Sequence, residues 1–121
     1  MSTLFERLGG RDAVDQAVRL FYRRVLTDER ISRFFDDVDM DRQMAKQAAF
    51  LTMAFGGPTA YDGKDMRDAH AHLLERGLND GHVDAVVEHL VATLRELGAA
   101  EADIREVTNI AEGARADVLG R

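Results

Sequence analysis

The sequence contains no cysteine, and that absence excludes disulfides, thiolate-bound metals, iron–sulfur clusters and cysteine nucleophiles together. Any metal must be held by histidine or carboxylate. There is a single proline in 121 residues, and alternating β-branched runs are missing, so a sheet has neither its punctuation nor its pattern. No apolar stretch approaches the ~20 residues of a membrane-spanning helix. Residues 1–10 lack the basic-then-apolar layout of a signal peptide, and a cytoplasmic location is expected. A basic block is lacking too. The 16 Lys and Arg are interspersed among 22 Asp and Glu, for a formal charge of −6, which offers a phosphate backbone no electrostatic footprint. Glycines 9–10 and 56–57 follow no strand and carry no Lys-Ser/Thr pair, so neither is a phosphate loop.

What is present is apolar spacing of helical period almost throughout, in a chain 45% hydrophobic and 31% charged. This reads as an all-α protein with one domain over residues 1–121. Thr3 and Glu6 form a candidate capping box for a very short first helix that ends at Gly9-Gly10. A second helix from about Asp12 to Thr27-Asp28 puts Val14, Ala17, Val18, Phe21 and Val25 on one face, with Tyr22 beside them. Ile31 to Phe35 is too short for a full helix and reads as a tight turn packing two rings inward. Asp39 caps the next helix, which runs to Phe55 and is halted by Gly56-Gly57-Pro58. A loop through Tyr61, Asp62 and Gly63 leads to a helix from about Asp65 to Arg76, ended by Gly77. The strongest amphipathic pattern spans Gly81 to Leu97, and a last helix is expected from Ala102 to Leu119.

Of four histidines, His70 alone falls on the apolar face of its helix, four residues after Met66 and ahead of Leu73 and Leu74. His72 points the other way, His89 falls away from the Val83–Leu90 stripe, and His82 sits at that helix's start. On spacing alone the commoner reading of His70 is a partly buried imidazole bonded to a carbonyl. If it is a metal ligand, a lone histidine without cysteines fails zinc, which needs about four protein ligands, and suits haem, which brings four of its own.

Gln43, Gln47, Phe50 and Ala54 fall within about 60° of one another around one helix axis. An unpaired buried carboxamide costs on the order of 1–3 kcal/mol, so two on an inward face imply a polar partner, which Tyr22 is placed to supply in part. A self-satisfied Gln–Tyr–Gln network or a wet face fits the spacing as well. Phe21, Phe34, Phe35, Phe50 and Phe55 read by default as ordinary core.

Taken together, the motifs LFERLGG with AVDQAV, FYRRVL, RFFDDVDM, QAAFLTMAFGG, the YDG loop and MRDAH resemble the group I truncated haemoglobins over nearly the whole chain. The resemblance implies a truncated globin fold, two antiparallel helix pairs (2-over-2) around a non-covalent haem b. It makes His70 the proximal iron ligand and Tyr22, Gln43 and Gln47 the distal hydrogen-bonding cluster. The implied haem cavity is lined by Phe21, Phe34, Phe35, Lys46, Phe50, Leu51, Met66, His70, Leu73, Leu78, Val87 and Leu90. Lys46 stands where some relatives carry a histidine that occupies the sixth iron position. The segment AEGARADVLGR has no counterpart to the histidine through which certain cyanobacterial relatives attach haem covalently. The implied function is binding of dioxygen, NO and CO, with nitric oxide dioxygenation as the chemistry, by a monomer served by an unidentified reductase. A ligand-binding or electron-transfer haem protein whose sixth site Lys46 closes is the alternative, and a haem-free helical interaction module the third reading. A hydrogen bond to the charged, dioxygen-derived acceptor contributes about 1.5–3 kcal/mol, which favours oxygen chemistry over oxygen delivery.

Overall fold

The structure, a computed structural model, describes residues 3–57 and 70–120. The YDG loop, the expected helix start at Asp65, and Met66 lie outside the described residues. Thr3 caps α1 (Leu4–Leu8) by accepting from the Glu6 backbone N–H at 3.2 Å, and Gly9 at φ 114° ends it. Helix α2 (Arg11–Leu26) follows at once, one residue earlier than the sequence pattern suggested. Ser32–Phe35 is a 3-10 turn, too short to be anything longer once Phe34 is drawn into the core. Asp39 caps α3 (Met40–Ala54), its side chain accepting from the Asp41 and Arg42 N–H groups. Residues 70–74 are helical and form the described part of α4.

Helix α5 (Asp80–Glu96) starts one residue before the expected Gly81, because Asn79 and His82 cap each other. The Asn79 side chain accepts from Gly81 at 2.9 Å, and His82 Nδ1 accepts from the Asn79 N–H at 3.0 Å. The last helix was expected to be continuous but is divided into α6 (Glu101–Gly113) and α7 (Arg115–Val118). Gly113 is the weakest helix former in the segment. Arg115 then ties α7 to the start of α5 through Asp80 and Asp84, at 3.0 and 2.6 Å, while also holding Glu112 at 2.9 Å. These carboxylates hold the guanidinium's pKa above its ordinary value, Glu112 first.

Helix α2 is the hinge of the packing, lying against both α3 and α5, while α5 also packs on α6. Its buried residues Val14, Ala17, Val18, Phe21, Tyr22 and Val25 recur at helical spacing. They meet Phe50, Leu51 and Ala54 of α3 and Ala85, Leu90 and Leu94 of α5 in one core. At about 1.5–3 kcal/mol for each fully buried large apolar side chain, this face fixes α2. The N-terminus is pinned to the end of α3. The Phe5 N–H donates to the Phe55 carbonyl at 2.8 Å, and Gly57 lies so close to the Phe5 ring that a Cβ there would stand 2.7 Å from it.

Candidate functional site

Tyr22 lies in the last two turns of α2 and is 3% exposed. Phe21 and Phe35 hold its ring edge-on at centroid distances of 5.0 and 5.7 Å, a geometry that aromatic quadrupoles favour. The α2–α3 packing then brings Gln43 to it, and the Gln43 Nε2 donates to the phenolic oxygen at 3.0 Å. Burial pushes the Tyr22 phenol up to about 12, against the opposing pull of the Gln43 hydrogen bond. The phenol thus stays protonated at neutral pH. Because it accepts from Gln43, its own proton remains for donation to a further group. Gln47 is half-buried one turn further along α3, and Phe50 beyond it is buried.

His70 is half-buried in α4, with Leu73 and Leu78 packed against the core nearby in sequence. Leu74, expected on the same apolar face, is instead 37% exposed. It reaches to the C-terminal backbone, where a Cβ on Gly120 would meet it at 2.8 Å. The remaining histidines have other work. His72 is exposed, His82 caps α5 and lays its ring edge-on to Phe34 at 4.9 Å, and His89 bonds Asp28 through Nε2 at 2.7 Å. Phe21, Phe34, Phe50, Leu51 and Leu90 are all buried. Val87 is half-buried but lines a surface groove with Asp84, Glu88, Val91, Ala92, Arg95 and Glu112. Lys46 is exposed.

This donor set can be tested against a metal or cofactor. Among the described residues no three His, Cys, Asp or Glu side chains come together as a metal site would require. One half-buried imidazole, one buried phenol held by an amide, and the aromatic rings around it fit a flat group that carries its own metal and needs one protein ligand.

Comparison with known proteins agrees. Residues 3–119 match the family described as bacterial-like globin. The chain is 59% identical over 112 residues to the group 1 truncated hemoglobin of Synechocystis, spanning 92% of this chain and 90% of that one. The chain belongs to the group 1 truncated haemoglobins. It superposes with a TM-score of 0.92 on the crystal structure of the 2/2 hemoglobin from Synechococcus, cyanomet and with covalently attached heme. That match is 48% identical over 99% of this chain and 100% of the other. The Fe(III) truncated hemoglobin of Tetrahymena pyriformis gives 0.88 at 47% identity, with the same coverage. The all-helical arrangement of α2, α3, α5 and α6 is therefore the 2-over-2 globin fold. As a truncated haemoglobin the chain is a haem globin. No helix among the described residues is long and apolar enough to cross a membrane.

Proposed function

We propose that this truncated haemoglobin binds haem b non-covalently through His70 and converts nitric oxide to nitrate, as a cytoplasmic monomer served by a separate reductase. Haem, when bound, supplies an iron that takes dioxygen, NO or CO and, when dioxygen meets nitric oxide there, releases nitrate with the loss of one electron from the iron. His70 would supply the one protein nitrogen that holds the iron. Tyr22 provides a hydrogen-bond donor whose direction Gln43 restricts by donating to the same oxygen. Gln47 adds a second amide on the same side of α3. Phe21, Phe34, Phe35 and Phe50 exclude water, which strengthens each polar contact inside.

The observation that carries this reading is the 3.0 Å Gln43–Tyr22 bond in a buried setting. A polar pair held inside an aromatic wall is preorganised for a partial negative charge. Lys46 is exposed, which supports a sixth position open to gas rather than closed by its amine. Non-covalent attachment rests on the absence of histidine from the α6–α7 segment. The test is to mix the ferrous, dioxygen-loaded protein with nitric oxide in a stopped-flow instrument. One nitrate per haem with immediate formation of the ferric spectrum is expected; dissociation without nitrate would overturn the reading. Acid–butanone extraction should take all the haem into the organic phase, and a protein mass increased by one haem would refute non-covalent binding.

A further inference from the structure

Arg33 and Arg76 stand 43 positions apart and clasp each other's backbone. Arg33 Nη1 donates to the Arg76 carbonyl at 3.0 Å, and Arg76 Nη2 donates to the Arg33 carbonyl at 2.8 Å. Both guanidinium groups gather at the Phe34 ring, 4.2 and 5.7 Å from its centroid. The cation–π attraction offsets part of the repulsion between the two cations. Both side chains are exposed. Arg7, Arg24, Arg30, Arg95 and Arg115 each hold a carboxylate within 3.1 Å, yet among the described residues no ion pair involves Arg33 or Arg76. Two positive charges are here brought together with no carboxylate among the described residues to pair them.

We propose that this two-arginine clasp is the docking point for surface carboxylates of an acidic one-electron carrier protein that reduces the haem. The inference rests on the haem reading above and adds the partner. Each guanidinium spends one of its five N–H donors on a carbonyl, and the planar edges left over match carboxylates. The rest of the surface supports the same orientation. Residues 80–113, which span α5 and α6, hold eight Asp and Glu against two Arg, so these helices repel an acidic partner. Arg76 follows residues 70–74 of α4, the helix that carries His70, and Phe34 under the clasp is 3% exposed and part of the core. The transfer is one electron from the reduced carrier to ferric iron, with no group or proton exchanged.

The test compares the holoprotein with Arg33→Gln/Arg76→Gln and with the charge-preserving Arg33→Lys/Arg76→Lys. The probe is a plant-type [2Fe–2S] ferredoxin, an acidic carrier. Two readouts are taken: calorimetric binding of oxidised ferredoxin to the ferric protein, in which no electron moves, and the second-order reduction rate by reduced ferredoxin. At low ionic strength the Gln pair should weaken binding and slow reduction by about ten-fold, with a shallower salt dependence, since steering by a few charges contributes factors of 10 or more. The Lys pair should stay within about three-fold of wild type. Reduction by a neutral flavin semiquinone should be equal in all three, which shows that the haem site is intact. Unchanged ferredoxin binding and rate in the Gln pair would overturn the proposal. So would a loss of haem affinity in the Gln pair that disappears with haem dimethyl ester, because the clasp would then serve a haem propionate. Failure of the wild-type protein to take up haem would instead sink the underlying reading.

Discussion

Replacing Tyr22 with phenylalanine removes one oxygen from a side chain that is 3% exposed and keeps the ring contacts to Phe21 and Phe35. If the phenol donates to the partly negative iron-bound gas, the loss is that of a hydrogen bond to a charged acceptor, about 1.5–3 kcal/mol. At about 1.4 kcal/mol per factor of ten, dioxygen should leave about ten- to a hundred-fold faster. Gln43 acts through the phenol it donates to at 3.0 Å. Gln43→Leu alone should therefore cost less than Tyr22→Phe, and adding it to Tyr22→Phe should cost almost nothing more. Folding stability should fall by only about 1 kcal/mol in Tyr22→Phe, because the half-buried Gln43 amide can turn to water. A phenol pushed up to about 12 keeps its proton through the physiological range, so wild-type release should show no phenolate step between about pH 6 and 9. Stopped-flow release of dioxygen into a scavenging solution measures all of these rates. Dissociation within about two-fold of wild type in both single variants and the double would refute the assignment, since coupled groups in one network cannot all be silent.

His70→Gly should abolish stable haem retention, while His72→Ala, His82→Ala and His89→Ala retain it; spectrophotometric haem titration of the four variants decides. Gly57→Ala should lower stability by about 1–3 kcal/mol in urea unfolding, since its Cβ would stand 2.7 Å from the Phe5 ring, and trimming Phe5 to leucine should recover part of the loss. Asp28→Asn should lower the melting temperature at pH 7. Arg30, then His89, hold the Asp28 carboxyl well below the usual range, so its stabilisation is full above the unfolded value near 3.9 and fades below it; melting curves for the two proteins should converge as the pH falls under about 4. Lys46→Ala should leave the ferric absorption spectrum between pH 6 and 8 unchanged, and loss of a low-spin form in the variant would show that the amine binds iron.

The helices were legible because their signals are local. Thr3 and Asp39 cap where their side chains reach the next free N–H groups, and the i, i+3/i+4 pattern from Val14 to Val25 names the face of α2 that is buried. The meeting of Tyr22 with Gln43 was legible as a need. A carboxamide on an inward face requires a partner, and the tyrosine beside the α2 stripe was placed to be one. What stayed hidden depends on distance along the chain or on competition between weak terms. The division at Ala114 follows from Gly113 together with an Arg115 tether to Asp80 and Asp84, 35 and 31 positions away. Leu74 fits the apolar stripe by spacing yet turns out to the C-terminal backbone. His82 reads as an ordinary helix-start residue and is in fact half of a capping box. The Arg33–Arg76 clasp has no sequence signal at all, because nothing local asks two arginines to meet.

Whether the iron is open or closed on its distal side comes down to what each candidate group must give up. Tyr22 is already desolvated, already bonded to the half-buried Gln43, and fixed by ring packing on two sides, so presenting the phenolic proton to a gas requires little further ordering. Lys46 starts from the opposite condition. It is exposed on α3, so binding iron would require it to lose its proton, leave water and freeze a four-carbon stem whose rotamer entropy is about 2 kcal/mol. The stem and the charge favour instead the ordinary outcome for an exposed lysine, with methylenes lying along apolar surface and the ammonium in water. If Tyr22 and Gln43 face the bound gas as proposed, a preformed neutral donor there favours gas binding over closure by the Lys46 amine.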